Sequence, residues 1–280
     1  MLIDRLITEA NLSQKAALAV VGLSRSSYHY KPGPDRDPRP LDLALCLAIW
    51  AIMERALVYG YRKVLATLLA QDWLVNHKKV LRHTRALGLT QPRKVKGHKY
   101  TRPVVRRPEH SNEYWEMDLS YVWCGNQQGY LIAILDAYDK CLPGDYFGDR
   151  CRAQEAVQAL EQGVLKRFGG EVPPDHRLTL RIDRGPQFKA RKFQAAAKRL
   201  NVELEYAGIR CPDDKPYIES FIGKYKVEEV YRNEYQNLAE AKTGWELYKV
   251  WHENERVHQG LKYRTPKAVF EESSKLALVN

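Results

Sequence analysis

Three carboxylates stand out by where they fall: Asp118, Asp183 and Glu219. Asp118 interrupts the apolar stretch EYWEMDLSYVW. Asp183 ends LTLRID, and the Gly185-Pro186 that follows turns the chain. Glu219 lies in DDKPYIESF, at the expected start of a helix, with 35 residues between it and Asp183. A charge set in apolar strand sequence is costly unless it has a partner, and a metal ion is one such partner. Two Mg²⁺ ions about 3.5–4 Å apart stabilise both the attacking and the leaving oxygen of an in-line displacement at phosphorus. Mg²⁺ takes a few carboxylates and completes its shell with water and substrate oxygens. Two or three Asp/Glu meeting at one end of a sheet would therefore suit phosphodiester chemistry. Spacing alone does not decide this, because with 14 Asp and 20 Glu in 280 residues chance supplies an Asp-to-Glu pair at almost any offset. The strand context is what singles these residues out.

The elements that must position them follow from the pattern after residue 112. Residues 113–123 and 129–139 read as strands, and a third is expected near 140–148. That third strand contains Pro143, which lacks a ladder donor and so belongs at a sheet edge. Residues 152–168 have helical period; 178–183 read as a buried strand, 187–200 as a helix and 202–207 as a strand, with helix again from Pro216. This β-β-β-α-β-α-β-α order predicts an α/β fold, a mixed sheet with helices on its faces.

The chain before residue 113 is different in kind. Residues 1–110 hold 20 Lys/Arg against 8 Asp/Glu, and Trp73–Pro108 holds eleven basic residues and no acid, within a whole-chain net charge of +11. Such a block suits a polyanion, since each phosphate contact releases condensed counterions; a solvated basic face is the plain alternative. Residues 1–30 read as helices broken at Gly22, with Ser24 as an N-cap, and KPGPDRDPRP (31–40) as a linker. A helix over 41–56 precedes a clearer helix-turn-helix at 59–89, with Asn76 as N-cap and Gly88 at its end. Val64, Leu65, Leu68 and Leu69 form one apolar stripe, and Val80, Leu81 and Leu87 another. The second helix carries Lys78, Lys79, Arg82 and Arg85, placed to meet DNA, and residues 90–112 read as a basic tether. The 44% hydrophobic, 28% charged composition is that of a globular chain. No run of 18 apolar residues spans a membrane and no secretory leader opens the sequence, so a cytoplasmic location is expected. The five cysteines show no CxxC pair, so neither a disulfide framework nor a zinc knuckle is expected.

The motifs WEMD, GYLIAILDAYD, DRGPQF, DDKPYIESFIGKYKVE and HENERVHQGLKYRTP, in this order, resemble the transposases of bacterial insertion sequences with a retroviral-integrase-like core, of the type encoded by the second of two overlapping reading frames. YGYRKV through VNHKKVLRHTRALGL resembles the helical domain upstream of that core, so the likeness spans nearly the whole chain. The resemblance implies a ribonuclease H-like five-stranded mixed sheet with flanking helices, preceded by an all-α helix-turn-helix region. It implies a catalytic and metal-binding triad at Asp118, Asp183 and Glu219, served by two Mg²⁺ ions for which Mn²⁺ can substitute. Lys226, seven positions after Glu219 and so on the same helical face, would hold a DNA phosphate. Implied partners are double-stranded DNA (element ends and target), further copies of the chain, and an upstream-frame DNA-binding protein; no membrane is involved, and the place of action is the bacterial nucleoid. The expected layout is a helical segment at 1–30, a helix-turn-helix domain at 41–90, a basic linker at 91–112, the catalytic core at 113–235 and a helical extension at 236–280. Two other readings remain: a DNA-binding regulator with a dead core, and a ribonuclease H-type nuclease that cuts without joining. One departure matters. Where the family reads Asp-Asn-Ala ahead of the glutamate, this chain reads Asp213-Asp214-Lys215-Pro216. Asp136 is expected to be structural though it could approach the triad. Asn254, Arg256 and His258 are expected to serve helix packing or DNA backbone contact. Tyr225, Tyr231, Trp245 and Trp251 are expected to pack in the core.

Overall fold

The computed structural model describes residues 2–29, 40–92, 106–208 and 214–277. The expected linker at 31–40 and tether at 90–112 therefore fall largely outside the described residues, as do Cys211 and Asp213. The chain divides into two compact units, Met1–Asp42 and Leu43–Asn280.

The first unit holds helices α1 (Leu2–Thr8), α2 (Gln14–Val21) and α3 (Arg25–Tyr28) around Ile3, Ala17 and Leu18. Ser13 and Ser24 cap α2 and α3 by accepting from the amides of Ala16 and Ser27, and Gly22 ends α2 at φ 66°. That left-handed turn is open to glycine without the Cβ penalty other residues incur.

The second unit opens with α4 (Leu43–Arg55), α5 (Tyr61–Ala70) and α6 (His77–Ala86). Asn76 caps α6 by accepting from Lys79 N, and Gly88 closes it at φ 69°. Val64, Leu68 and Val80 are fully buried, while Leu65, Leu87 and Leu89 pack at the margin. Leu69, expected in the same stripe, is half exposed, because it lies at the edge of α5's inward face.

The sheet comprises β1 (Tyr114–Cys124), β2 (Gln127–Asp136), β3 (Asp145–Gly148), β4 (Leu178–Ile182) and β5 (Val202–Tyr206), in the order β3-β2-β1-β4-β5. The β1-β2 and β2-β3 pairs are antiparallel; β1-β4 and β4-β5 are parallel. Helix α7 (Ala153–Phe168) links β3 to β4; α8 (Pro186–Lys189) and α9 (Arg191–Arg199) link β4 to β5. Then come α10 (Pro216–Glu228), α11 (Leu238–Asn254) and α12 (Pro266–Ala277). The third strand is an edge strand as expected, but Pro143 precedes it instead of lying within it. The helix expected over 187–200 is two, because Ala190 adopts an extended backbone at ψ 135° between them.

Side chains alternate across a strand, and here the two faces bury different things. Trp115, Met117, Ile132, Ile134, Leu178, Leu180 and Ile182 face α7 and α9, forming an apolar core with Leu160, Phe188 and Phe193. On the other face Val122, Leu131, Ala133 and Leu135 meet Ile218, Phe221 and Tyr225 of α10 and Trp245, Tyr248 and Trp251 of α11. The same cluster continues into Leu45, Ile49, Val64 and Val80, so the helix-turn-helix shares its core with the second face of the sheet. Tyr225, Trp245 and Trp251 are buried as expected; Tyr231 is 72% exposed, since it lies in the short 3-10 turn after α10 and not on a packed helix. Among the described residues no helix is long and apolar enough to cross a membrane.

Candidate active site

The alternation of β1 puts Glu116 and Asp118 on the face that α10 covers, opposite Trp115 and Met117. On β4 the same rule puts Arg181, and Asp183 just past the strand end, on that face too. β1 and β4 run parallel with Glu116 beside Arg181. Two residues further along each strand stand Asp118 and Asp183. A carboxylate on one strand thus meets a carboxylate on its neighbour, at the end of β4 where Gly185-Pro186 turns away.

What joins them is Lys215. Its Nζ donates to Asp118 Oδ1 at 2.7 Å, lies 3.8 Å from Asp183 Oδ2, and also reaches Met117 O at 3.3 Å. The lysine side chain is only 7% exposed. Asp183 has its other oxygen committed: Oδ1 accepts from Gly185 N at 2.6 Å, which fixes the turn. The two aspartates therefore converge on one cationic point.

Glu116 sets the helix that follows. Fully buried, it accepts from Ile218 N at 2.7 Å and so caps the first turn of α10. Amides in a helix's first turn have no intrahelical partner, and an anion there also meets the positive end of the helix dipole. Burial pushes Glu116 up to about 7, against the lowering effect of that amide bond. Arg181 holds the preceding loop by pairing with Asp214 at 3.0 Å and with Glu205. These anchors place Glu219 in the first turn of α10, one residue beyond the amide that β1 holds. Glu219 and Lys226 share that helix two turns apart, Glu219 exposed and Lys226 part-buried. Among the described residues no three His, Cys, Asp or Glu side chains are gathered closely enough to hold a metal. The strand pair itself fits a divalent cation, because two carboxylates already share one positive charge.

Asp136 goes to the other side. It is fully buried at the end of β2 and accepts from the amides of Asn112, Tyr138 and Asp139 and from Trp115 Nε1. Burial and the neighbouring Asp139 carboxylate push its pKa up. Its role is structural. Arg256 pairs with Glu228 through Nε at 2.8 Å and Nη2 at 2.5 Å, joined by Tyr248 Oη at 2.8 Å, so it ties the chain after α11 to α10. His258 takes Arg256 Nη1 at 3.1 Å, and burial drives its pKa far down, so the ring stays neutral. Asn254 caps back onto Val250 O. Sequence reasoning missed Glu116 and Lys215. Glu116 lies in the same WEMD as Asp118, two residues away and hence on its face; Lys215 was visible only as the odd residue before the glutamate.

Residues 108–212 match the Integrase core domain family, and residues 200–266 match a second Integrase core domain family. Together these span more than half of the chain. The chain belongs to the integrase-core family. An HTH-like domain matches residues 40–97. Over 261 residues the chain is 26% identical to an uncharacterized 31.7 kDa protein of insertion element IS407 from Burkholderia multivorans, covering 92% of this chain and 90% of that one. It is 25% identical over 219 residues to a putative transposase, InsK, of element IS150 from Escherichia coli K12, covering 74% and 76%. A chain of the simian T-cell lymphotropic virus intasome, solved with a PP2A regulatory subunit, aligns at TM-score 0.49 and 14% identity, over 79% of this chain and 74% of that one.

In this integrase-core protein the HTH-like helices present their charge on α6. Lys78 and Arg85 are exposed; Lys79 and Arg82 are part-buried. Lys78, Arg82 and Arg85 follow at i, i+4 and i+7 along one face, while Val80, His83 and Thr84 point inward. His83 Nδ1 meets Lys79 O at 2.8 Å, and Thr84 bonds Val80 O, so the buried polar atoms of α6 are used within the helix.

Proposed function

We propose that the chain is a DNA transposase that cuts at the ends of an insertion sequence and joins the freed 3′ ends to new DNA, with Asp118, Asp183 and Glu219 as its metal-holding carboxylates. The observation that carries this is the meeting of Asp118 and Asp183, from parallel neighbouring strands, on one cationic nitrogen beside the helix bearing Glu219. A divalent ion, when bound, would supply Lewis-acid stabilisation of charge at the scissile phosphate and ease deprotonation of the attacking hydroxyl.

The rest falls to the chain. In the first step a water oxygen attacks the phosphodiester, the 3′ oxygen leaves and ends as a hydroxyl. In the second step that hydroxyl attacks a phosphodiester of the target, one P–O bond forming as another breaks. Both steps are displacements at phosphorus, so one set of carboxylates serves both. Asp118 and Asp183 would hold such an ion, and Lys215, now bonded to Asp118 Oδ1, would have to yield part of that contact. Glu116 holds α10 so that Glu219 reaches the same place. Lys226 steadies a phosphate two turns along the helix, and Lys78, Lys79, Arg82 and Arg85 of α6 grip the duplex. The cofactor is Mg²⁺, two ions, with Mn²⁺ as substitute. Element ends are paired by several copies of the chain on the nucleoid, with an upstream-frame product as a further DNA-binding partner.

The test is a strand-transfer assay with a pre-cut element end bearing a 3′-OH. Joined product supports the transposase. Hydrolysis without joining would leave a nuclease, and DNA binding with neither would leave a regulator.

A further inference from the structure

A cavity of about 420 Å³ lies on the flank of α10, and its chemistry is unlike that of the carboxylate site. Lys63 of α5, Lys140 of the turn after β2, Lys224 of α10 and Arg256 line it, and among the described lining residues there is no Asp or Glu. Its walls are aromatic: Tyr217, Phe221 and Tyr248. Its size falls within the roughly 300–1,000 Å³ of small-molecule sites.

The positive charge here is held in place. Lys140 Nζ lies 3.6 Å over the Tyr217 ring and donates to Ala137 O. Lys63 Nζ lies 4.6 Å from the Tyr59 ring centre. Burial pushes both lysines down to about 8, and Lys224 adds to that lowering in each. Glu116, Asp136 and Asp139 are near enough to Lys140 to oppose the shift, yet none reaches the cavity wall. Glu228 is committed to Arg256 and Tyr248. His252 and His258 also line the space, and burial keeps both rings neutral. An anion entering the cavity would find the ammonium groups of Lys63 and Lys140 already desolvated. A flat aromatic ring would find the half-buried Tyr217 beside them, while Phe221 and Tyr248 are almost fully buried.

We propose that this cavity receives one unpaired nucleotide of the DNA strand, its phosphate against Lys63, Lys140 and Lys224 and its base against Tyr217, Phe221 and Tyr248. Cations combined with aromatic platforms are how proteins hold a base taken out of the stack. The position fits. Tyr217, Ser220, Phe221 and Lys224 are on the α10 flank next to the one bearing Glu219, and Lys63 comes from the helix-turn-helix. The inference rests on the proposed function only for the choice of DNA as the source of the nucleotide.

The experiment uses the full chain in EDTA, so that no cleavage occurs. The probes are a blunt duplex and the same duplex with a three-nucleotide single-stranded tail carrying 2-aminopurine; dAMP and inorganic phosphate serve as competitors. The expected result is a saturable change in 2-aminopurine emission. Lys63→Gln with Lys224→Gln should weaken the tailed duplex at least tenfold more than the blunt one. Gly260→Phe gives a second variant: Gly260 lines the cavity, a Cβ there meets nothing within 4 Å, and no charge is altered. It should block the tail and leave blunt-duplex affinity within twofold. Equal loss on both duplexes, or unchanged emission, overturns the proposal. So does competition by inorganic phosphate as effective as that by dAMP, which would make the cavity a phosphate site without base recognition. Competition by dAMP with no tail effect would make it a free-nucleotide site and equally overturns the assignment to DNA. A chain that binds the tail but never cuts in Mg²⁺ defeats the proposed function and leaves this inference standing.

Discussion

The two faces of β1 differ by one residue of register and by everything else. Trp115 and Met117 look into a core packed by apolar side chains, from Ile132 to Leu160 and Phe193, with the buried Asp136 at its margin accepting from Trp115 Nε1. Glu116 and Asp118 look the other way, toward α10. There the buried set includes Glu116, Lys215, Glu228, His252 and Arg256. Burying charge is expensive, and replacing a buried ion pair by apolar residues is often neutral or stabilising. The second face therefore keeps its charges for something other than stability. Lys215 on Asp118 and Glu116 on α10 are positioning contacts, and the first face supplies the rigid floor beneath them.

The sharpest way to break this division is to alter one residue on each side. Asp183→Asn keeps shape and removes charge. It should lower metal-dependent cleavage by at least about a thousandfold, or about 4 kcal/mol of barrier, while DNA binding in EDTA stays within a factor of two. Retained cleavage would remove Asp183 from the chemistry. Phe193→Ala on the dry face should do the reverse. Its ring is fully buried against Phe188, so truncation should cost about 3–5 kcal/mol of unfolding free energy. Cleavage per folded molecule should be unchanged. Denaturant melts and active-fraction titration check both halves.

Glu116 tests the boundary between the faces with a smaller effect. Glu116→Ala leaves the Ile218 amide without its acceptor, at a cost of about 1–3 kcal/mol for a buried donor. It should also lower cleavage, because Glu219 is then held less firmly. Glu116→Gln retains an acceptor oxygen and loses the charge, so it should recover both stability and most of the cleavage. If the amide variant is as poor as the alanine, the charge itself matters and the capping account fails.

How much of this could be read beforehand depends on what each feature needs. The caps at Ser24 and Asn76, and the glycine ends at Gly22 and Gly88, are local effects, and their signals are local. The succession of strands and helices also follows from pattern; β3 does lie at the sheet edge, but Pro143 precedes the strand and so is not what keeps it there. The break at Ala190 carries no residue that demands it, so one helix was the natural expectation. Tyr231 is aromatic like Tyr225, but only its place in a turn leaves it in solvent. The approach of Asp118 to Asp183 needs a parallel pairing across many intervening residues, and its register is visible only once the sheet is built. Lys215 was noticed as a departure in sequence, yet its meaning lies in a contact 97 residues away.

That contact gives the smallest effect and the finest test of the comparison. Lys215 is nearly buried while Asp118 is 20% and Asp183 42% exposed, so the pairing lies between a surface ion pair and a fully desolvated one. Exposed pairs contribute about 0.2–1 kcal/mol, and partial burial strengthens the attraction while adding a desolvation cost of its own. A divalent ion seeking the same oxygens must first displace the ammonium, and its apparent affinity is weakened by that amount. Lys215→Asn, which removes the ammonium, should therefore tighten Mn²⁺ binding about three- to tenfold, a change of about 1 kcal/mol. Calorimetric titration of the DNA-free chain reads this without any turnover. The same variant should melt slightly lower in EDTA, where two carboxylates lose their shared cation, and slightly higher in saturating Mn²⁺. Weaker metal binding in Lys215→Asn would mean that the lysine supports the carboxylates instead of competing for them, and the second face would then be built around a permanent ammonium.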